Sequence, residues 1–265
     1  MSLAHRITRA KLDMRKPWTD DAIPALPRGF GQSVRELTEA EMDVAFQPIV
    51  DLVTGVSWAV EALARCRVEA YRSPPTLFEA AVIQNATGRL GNLIRTVALE
   101  RAAHVERVFL NLHPAELSAR WLVRPDDPIC FHSGELYLEI TETAAFEHFD
   151  LCRSVLAEVC ARTGAHLVLD DLGAGYSNLT RFLELSPKVV KLDRAFTHQL
   201  PTDRRKRVMV QHLVRMFEEL GSKVVAEGIE THDELRAVID TGVHYGQGYL
   251  LAEPGYPTPA VRWPR

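Results

Sequence analysis

The chain has 265 residues, 46% of them hydrophobic and 25% charged, with a formal net charge of −4. That is ordinary globular composition, sufficient for one large domain such as a barrel or for two small ones. It carries no strong basic patch for duplex nucleic acid and no run near the roughly 20 apolar residues of a membrane span. Its four cysteines, Cys66, Cys130, Cys152 and Cys160, form no CxxC pair and no disulfide framework. The N-terminus is basic but has no apolar stretch behind it, so it does not read as a signal peptide. A cytoplasmic location is expected.

Residues 1–35 read as an N-terminal extension, basic at first and then crowded with Pro17, Pro24, Pro27, Gly29 and Gly31; residues 36–265 read as the folded unit. Thr38-Glu39-Ala40-Glu41 has the form of a capping box and predicts a short helix. Residues 43–53 and 56–65 predict two strands joined at Thr54-Gly55, a hairpin with Glu61 inside its second arm. Helices are predicted over 78–86 and 90–104, a strand over 107–112, a helix over 115–122 and a strand over 135–141. An amphipathic helix follows over 149–163, closed by Gly164.

The apolar strand His166-Leu167-Val168-Leu169 ends in two adjacent carboxylates, Asp170 and Asp171, and a turn with Gly173 and Gly175. Taken alone, this pair serves equally well as the start of a turn and a helix cap or as a cation site, because paired acids at a strand end are costly without a counter-charge. The remaining elements are a helix over 179–185, a strand over 189–192, a helix over 204–220, a strand over 223–226, a helix over 232–241 and a last short strand over 246–250. Residues 254–265, with four prolines, form a closing loop.

This alternation of strand and helix predicts an α/β fold with a mostly parallel sheet. At this length a TIM-barrel-like (β/α)8 barrel fits best, with the first strand antiparallel; an open doubly wound sheet is the alternative. No GxGxxG fingerprint follows an early strand, which argues against a dinucleotide cofactor.

The polar residues fall in a pattern. Asn111, Glu139, Asp170, Asp171, Lys191, Glu227 and Gln247 all stand at or near the C-terminal ends of apolar strands. In a barrel those ends converge on the face that carries the chemistry. Carboxylates and an amide oxygen are hard ligands suited to Mg²⁺ or Mn²⁺, and such cations would make a crowd of acids hospitable to a phosphate. Two cations clamping a phosphodiester, with Lys191 at the phosphate or the water, is one chemistry that fits. An enolase-type proton abstraction by Lys191 is another, and the strand-end pattern leaves both open.

Glu61-Ala62-Leu63 followed by Ala64-Arg65 resembles the ExLxR signature of the EAL-domain family. The likeness continues through Phe46-Gln47-Pro48-Ile49-Val50, Phe109-Leu110-Asn111-Leu112, Leu138-Glu139-Ile140-Thr141-Glu142 and Asp170-Asp171-Leu172-Gly173-Ala174-Gly175-Tyr176-Ser177. It runs on through Val190-Lys191-Leu192-Asp193, Ala226-Glu227-Gly228-Ile229-Glu230 and Gln247-Gly248-Tyr249-Leu250, in order over about residues 40–255. The resemblance implies a barrel with a reversed first strand and metal-dependent hydrolysis of cyclic di-GMP to linear pGpG. By that resemblance, Glu61, Asn111, Glu139 and Asp170 hold one Mg²⁺ or Mn²⁺. Asp170, Asp171 and Glu227 serve a second. Lys191, Glu227, Gln247 and Glu142 are the catalytic set, Lys191 at the water or phosphate and Glu142 bracing the loop after Asp171. Gln47, Leu63, Arg65, Asp193, Glu230, Tyr249 and Pro254 are the substrate-binding set. A homodimer and a regulatory protein partner are also implied. Family members that lack catalysis bind the nucleotide or a protein instead, which is the alternative function. Here every required acid, amide and lysine is present. Leu172 stands where Phe is usual, Asn178 where Ser is usual, His113 where Ser often follows the Asn-Leu pair, and Cys66 where an aromatic is common.

Overall fold

The computed structural model describes residues 32–118, 122, 124–142, 149–173 and 179–264. Eight strands close into a barrel in sequence order: β1 (Met42–Asp51), β2 (Ser57–Cys66), β3 (Arg107–Asn111), β4 (Glu135–Thr141), β5 (His166–Leu172), β6 (Val189–Leu192), β7 (Lys223–Ala226) and β8 (Tyr245–Gly246). β1 runs antiparallel to both β2 and β8, and all other neighbours are parallel. The barrel with one reversed strand matches the sequence expectation and removes the open-sheet alternative.

The helices that cover the barrel are α1 (Pro74–Ile83), α2 (Thr87–Arg101), α3 (Pro114–Ser118), a helical stretch α4 over 149–163, α5 (Leu179–Leu185), α6 (Arg194–Thr197), α7 (Arg204–Glu219) and α8 (His232–Asp240). α4 contains a π turn at Cys152–Leu156, and Gly164 closes it with φ +75°. Outward residues of the strands, among them Val44, Phe46, Val60, Ala62, Val108, Leu110, Leu138, Leu169 and Val190, pack under these helices as the main core.

The inside of the barrel is filled by a second apolar layer: Ile49, Ala59, Phe109, Tyr137, Val168, Val189 and Val225, flanked by Trp58 and Tyr245. Trp58 stacks on Tyr245 with ring centroids 3.9 Å apart, and Phe109 on Tyr137 at 4.5 Å. Side chains two residues apart along a strand share a face. The polar residue two positions after a member of this layer, or two before it on the reversed strand β1, therefore also points inward, one level higher.

Several elements differ from the sequence expectation. Thr38–Glu41 forms a turn rather than a helix, although Glu41 does accept from the Thr38 backbone N–H at 2.8 Å. The reason is that Met42, fully buried, already pairs with Cys66 at the start of β1, so there is no room for a helical turn. A reciprocal capping box does form just upstream, between Ser33 and Glu36 around a 3₁₀ turn. From there Val34 and Leu37 reach into the core. β8 is two residues long, not five. Past Gln247 the Gly248 backbone presses on that of Ile229, where a Cβ would stand 2.1 Å from the Ile229 carbonyl oxygen, and the chain turns away. Of the predicted 115–122 helix, the described part is α3. Residues 174–178, including Asn178, lie outside the described residues.

Candidate active site

Each strand of the barrel contributes one polar side chain to a single rim. Gln47, Glu61, Asn111, Glu139, Asp170 and Lys191 lie on β1 to β6, and Glu227 and Gln247 follow β7 and β8 by one residue. Each stands two positions from a residue of the apolar layer: Gln47 from Ile49, Glu61 from Ala59, Asn111 from Phe109, Glu139 from Tyr137, Asp170 from Val168, Lys191 from Val189, Glu227 from Val225, and Gln247 from Tyr245. Strand alternation thus sets a polar ring on an apolar floor.

Lys191 is the hub. Its side chain is 1% exposed, and Nζ lies 2.7 Å from Glu227 Oε1, 2.9 Å from Glu139 Oε1, 3.3 Å from Asp170 Oδ1 and 3.4 Å from Glu61 Oε2. Burial pulls the Lys191 pKa down, but the charges of Asp170, Glu139, Glu227 and Glu61 outweigh it and hold the ammonium well above its ordinary pKa. The acids pay unequally. Burial, then the Glu61 charge, pushes Glu139 well above the carboxylate range against the pull of Lys191. Burial pushes Glu227 up to about 8 in spite of Lys191, with Asp170 and Glu61 adding to the rise. Burial also acts on Glu61, yet Lys191 and hydrogen bonds from Gln247 and Asn111 hold it below its ordinary value.

The amides orient the ring. Asn111 Nδ2 donates to Glu61 Oε1 at 2.9 Å. Gln247 Nε2 donates to Glu61 Oε2 at 2.6 Å and to Gln47 Oε1 at 2.8 Å, and Gln47 Nε2 donates to the Ala252 carbonyl at 3.0 Å.

Asp170 and Asp171 sit where the β5–β6 register shifts, between Leu169 and Leu172. Such a bulge re-aims side chains that plain alternation would send to opposite faces. Asp171 takes a left-handed φ of +54°, a conformation Asp tolerates better than most residues but one that stores strain. Burial, reinforced by the Asp170 charge, raises the Asp171 carboxyl. One oxygen each from Asp170, Asp171 and Glu227 lie within 4.8 Å of one another, a spacing that fits a cation. The loop that follows is braced as well. Glu142, 1% exposed, accepts from Gly173 N–H at 2.9 Å. Gly173 has φ +107°, and the Phe196 ring covers it so closely that a Cβ would stand 2.1 Å from a ring carbon. Leu172 is buried and pairs with Leu192.

The donor set fits divalent cations. Five carboxyl groups (Glu61, Glu139, Asp170, Asp171, Glu227) gather around one ammonium, more acids than it can pair. Glu139 Oε2 is buried without a hydrogen-bond partner, and Glu139 Oε1 and Asp170 Oδ1 have only the shared Lys191 ammonium beside them. Hard oxygen donors of this kind suit Mg²⁺, Mn²⁺ or Ca²⁺.

The expected substrate-binding residues are more dispersed. Gln47 belongs to the ring itself. Leu63 and Arg65 are half-buried on β2, with Arg65 Nη1 donating to Ala64 O at 2.9 Å. Asp193 caps α6 through Ala195 N–H at 2.8 Å. Glu230 is paired with Arg194 at 2.8 Å. Tyr249 is exposed and, with Glu230, His232, Arg262 and Trp263, lines a cleft of about 500 Å³. Pro254 leads into the closing segment.

The sequence reading passed over Arg194, and also a buried group behind Asn111. There Arg95 of α2 binds Glu116 at 2.6 Å and Asp127 at 2.8 Å, all three 1% exposed or less. Glu116 in turn accepts from His113 N–H at 2.9 Å, just past Asn111. The available signal was Arg95 standing four residues after Gly91 on the buried face of α2, where a Cβ on Gly91 would strike the Glu116 carboxylate at 1.9 Å.

Among known proteins, the chain is 31% identical over 243 residues to a cyclic di-GMP phosphodiesterase of Pseudomonas aeruginosa, an alignment covering 86% of this chain and 41% of that relative. The chain therefore spans less than half the length of that relative. The PaMucR phosphodiesterase in complex with cyclic di-GMP superposes with a TM-score of 0.73 at 26% identity, over 82% of this chain and 92% of that one. BlrP1 of Klebsiella pneumoniae, solved with cyclic di-GMP and calcium or manganese, gives a TM-score of 0.69 at 28% identity. Those alignments cover 81% of this chain and 56% of that one for the calcium complex, and 88% and 58% for the manganese complex. The family model described as EAL domain matches residues 32–254. With that match over most of its length, and the polar ring standing on the strands that carry the family's motifs, this chain belongs to the EAL domain family.

Proposed function

We propose that the chain is a metal-dependent phosphodiesterase that hydrolyses cyclic di-GMP to linear pGpG, lowering this second messenger in the cytoplasm of a bacterial cell. The observation that carries the proposal is the convergence of Glu61, Glu139, Asp170 and Glu227 on Lys191, with Asp171 beside Asp170 and Glu227. An anionic phosphodiester enters such a site only when cations reverse its sign. Glu61, Asn111, Glu139 and Asp170 would hold one Mg²⁺ or Mn²⁺, and Asp170, Asp171 and Glu227 a second. Bound in this way, two divalent ions supply Lewis acidity and a water activated for attack on phosphorus.

The protein's own side chains divide the remaining work. Lys191 holds its proton at Nζ and presents positive charge to the attacking water and the phosphate. Gln247 keeps Glu61 in one orientation through its 2.6 Å hydrogen bond, and Gln47 ties Gln247 to the Ala252 carbonyl. Glu142 holds Gly173, and through it the turn that follows Asp171. Arg65 lies on the same strand as Glu61 and is the cation assigned to the substrate phosphate. Leu63, Asp193, Glu230, Tyr249 and Pro254 are assigned to the rest of the nucleotide. In the reaction water adds to phosphorus, one P–O ester bond breaks, and the released ribose oxygen takes up a proton.

The test is incubation with cyclic di-GMP and Mg²⁺ or Mn²⁺, with pGpG followed by chromatography. Metal-dependent appearance of pGpG supports the proposal. Tight binding with no turnover under any divalent ion would instead assign the chain to the silent, receptor-type members of the family. The homodimer and a regulatory partner belong to the same proposal, and sedimentation of the protein with and without nucleotide reads the first. No helix among the described residues is long and apolar enough to cross a membrane.

A further inference from the structure

Residues 255–264 lie beyond the segment that the family model matches, yet they are fastened to the barrel at both ends. At the near end Gly255 pairs with Phe46 along the edge of β1: Phe46 N–H donates to Gly255 O at 2.8 Å, and Gly255 N–H donates to Phe46 O at 3.0 Å. The Tyr256 ring follows, 6.2 Å from that of Phe46, with the Arg101 guanidinium 4.7 Å from its centroid, a cation–π contact. At the far end Arg262 N–H donates to Leu251 O at 2.7 Å, and Arg262 Nη2 donates to Tyr249 O at 2.6 Å. Next to it the Trp263 ring covers Gly55 so tightly that a Cβ there would sit 2.6 Å from the ring.

The loop enclosed by these contacts, 247–252, serves the polar ring. It starts with Gln247, whose amide holds both Glu61 and Gln47, and ends with Ala252, whose carbonyl receives Gln47 Nε2. β8 stops at Gly246, but the loop keeps backbone bonds on its β7 side: Gln247 N–H donates to Ala226 O at 2.9 Å, Gln247 O accepts from Ile229 N–H at 3.1 Å, and Leu250 N–H donates to Ile229 O at 3.1 Å. On the side of the closing segment it is held by the pair of hydrogen bonds from Arg262 to the carbonyls of Tyr249 and Leu251.

We propose that the closing segment is a strap that positions the active site, with Arg262 as its positioning residue. Arg262 makes no contact with the ring carboxylates; its Nη2 stands 3.6 Å from Glu253 Oε1, and it lines the cleft beside Tyr249 and Glu230. It acts through Gln247, by fixing the loop at the depth where Gln247 Nε2 reaches Glu61. The inference rests on the reading of Glu61 as a working member of the site.

The experiment is a double-mutant cycle in the full chain, read as pGpG formation well below the melting temperature. Arg262→Ala lowers kcat about fivefold, in line with one charge-assisted hydrogen bond discounted for solvent exposure, and Trp263→Ala acts in the same direction. In a Gln247→Ala background neither strap variant has any further effect. An equal loss in both backgrounds, or no loss in either strap variant, overturns the inference. A second readout is independent of turnover. In Arg262→Ala the Gln247 side-chain amide protons exchange faster with water by NMR, and an unchanged exchange rate overturns the strap. If the wild type forms no pGpG under any divalent ion, the proposed function falls, while the amide exchange still decides the strap.

Discussion

Two buried cations among the described residues, Arg95 and Lys191, stand among carboxylates, and they are built in opposite ways. Arg95 meets Glu116 and Asp127, and the group closes on itself. Arg95 Nε and Nη2 both donate to Asp127, Nη1 donates to Glu116, and the spare acceptors take Asn92 Nδ2, Ile129 N–H and His113 N–H. Lys191 meets four carboxylates with one ammonium, and Glu139 is left with a buried oxygen, Oε2, that has no partner. A planar guanidinium fork saturates two acids, whereas a compact ammonium cannot saturate four. A satisfied ionic group rigidifies; an under-compensated one is poised to take further cations. The Arg95 group therefore reads as architecture that sets the chain behind Asn111, and the Lys191 group as the working site.

The sharpest way to break this contrast is at the proposed metal ligands. Asp170→Asn or Glu61→Ala is expected to lower pGpG formation by roughly a thousandfold while the folded barrel remains by circular dichroism. Turnover near the wild-type rate in either variant would remove these residues from the site. Lys191→Met comes next. Turnover falls about a hundredfold, and because only repelling carboxylates remain, the melting temperature becomes strongly dependent on added Mn²⁺.

At the other cluster the expected sign is reversed. Arg95→Met leaves two buried carboxylates unpaired and costs about 3–5 kcal/mol of stability by urea titration, with kcat little changed at low temperature. Replacing Arg95, Glu116 and Asp127 together with apolar residues recovers most of that loss. A large kcat effect without a stability effect would mean that the two clusters are not separable. Divalent ions supply a smaller stability change: saturating Mn²⁺ at about 100 times its dissociation constant raises wild-type stability by about 2.7 kcal/mol, and the gain shrinks in Asp170→Asn. The smallest effect is at Glu142→Gln, which weakens one charge-assisted bond to Gly173 and costs about 1 kcal/mol, read as a few-fold loss of turnover.

Much of this was legible along the chain. The reversed first strand followed from the hairpin around Thr54-Gly55, and the barrel from the alternation of strands and helices. The polar ring followed from single acids, amides and a lysine at the ends of apolar runs. The places where the sequence misled have local causes. Thr38–Glu41 has the residues of a helix start, but β1 begins at Met42 and claims the space. The run from Gly246 to Leu250 reads as a strand, but Gly248 is needed for close approach to Ile229 and ends β8 early. Arg95 was invisible as a core residue because its partners, Glu116 and Asp127, are 21 and 32 positions away.

The sequence by itself determined which residues face the barrel interior. Alternation is a property of a single strand, so an apolar residue at one position and a polar one two positions on define floor and ring without reference to any neighbour. Only the tertiary structure decided which of them meet. Glu61 is joined to Gln247 across 186 positions and to Lys191 across 130, through the register of eight strands and the closure of the barrel. The bulge that turns Asp171 beside Asp170 and the strap that holds Gln247 to its depth belong to that same level. Both depend on where one segment lands against another distant in sequence, and a strand's own alternation fixes which face a side chain takes but not which segment lies beside it.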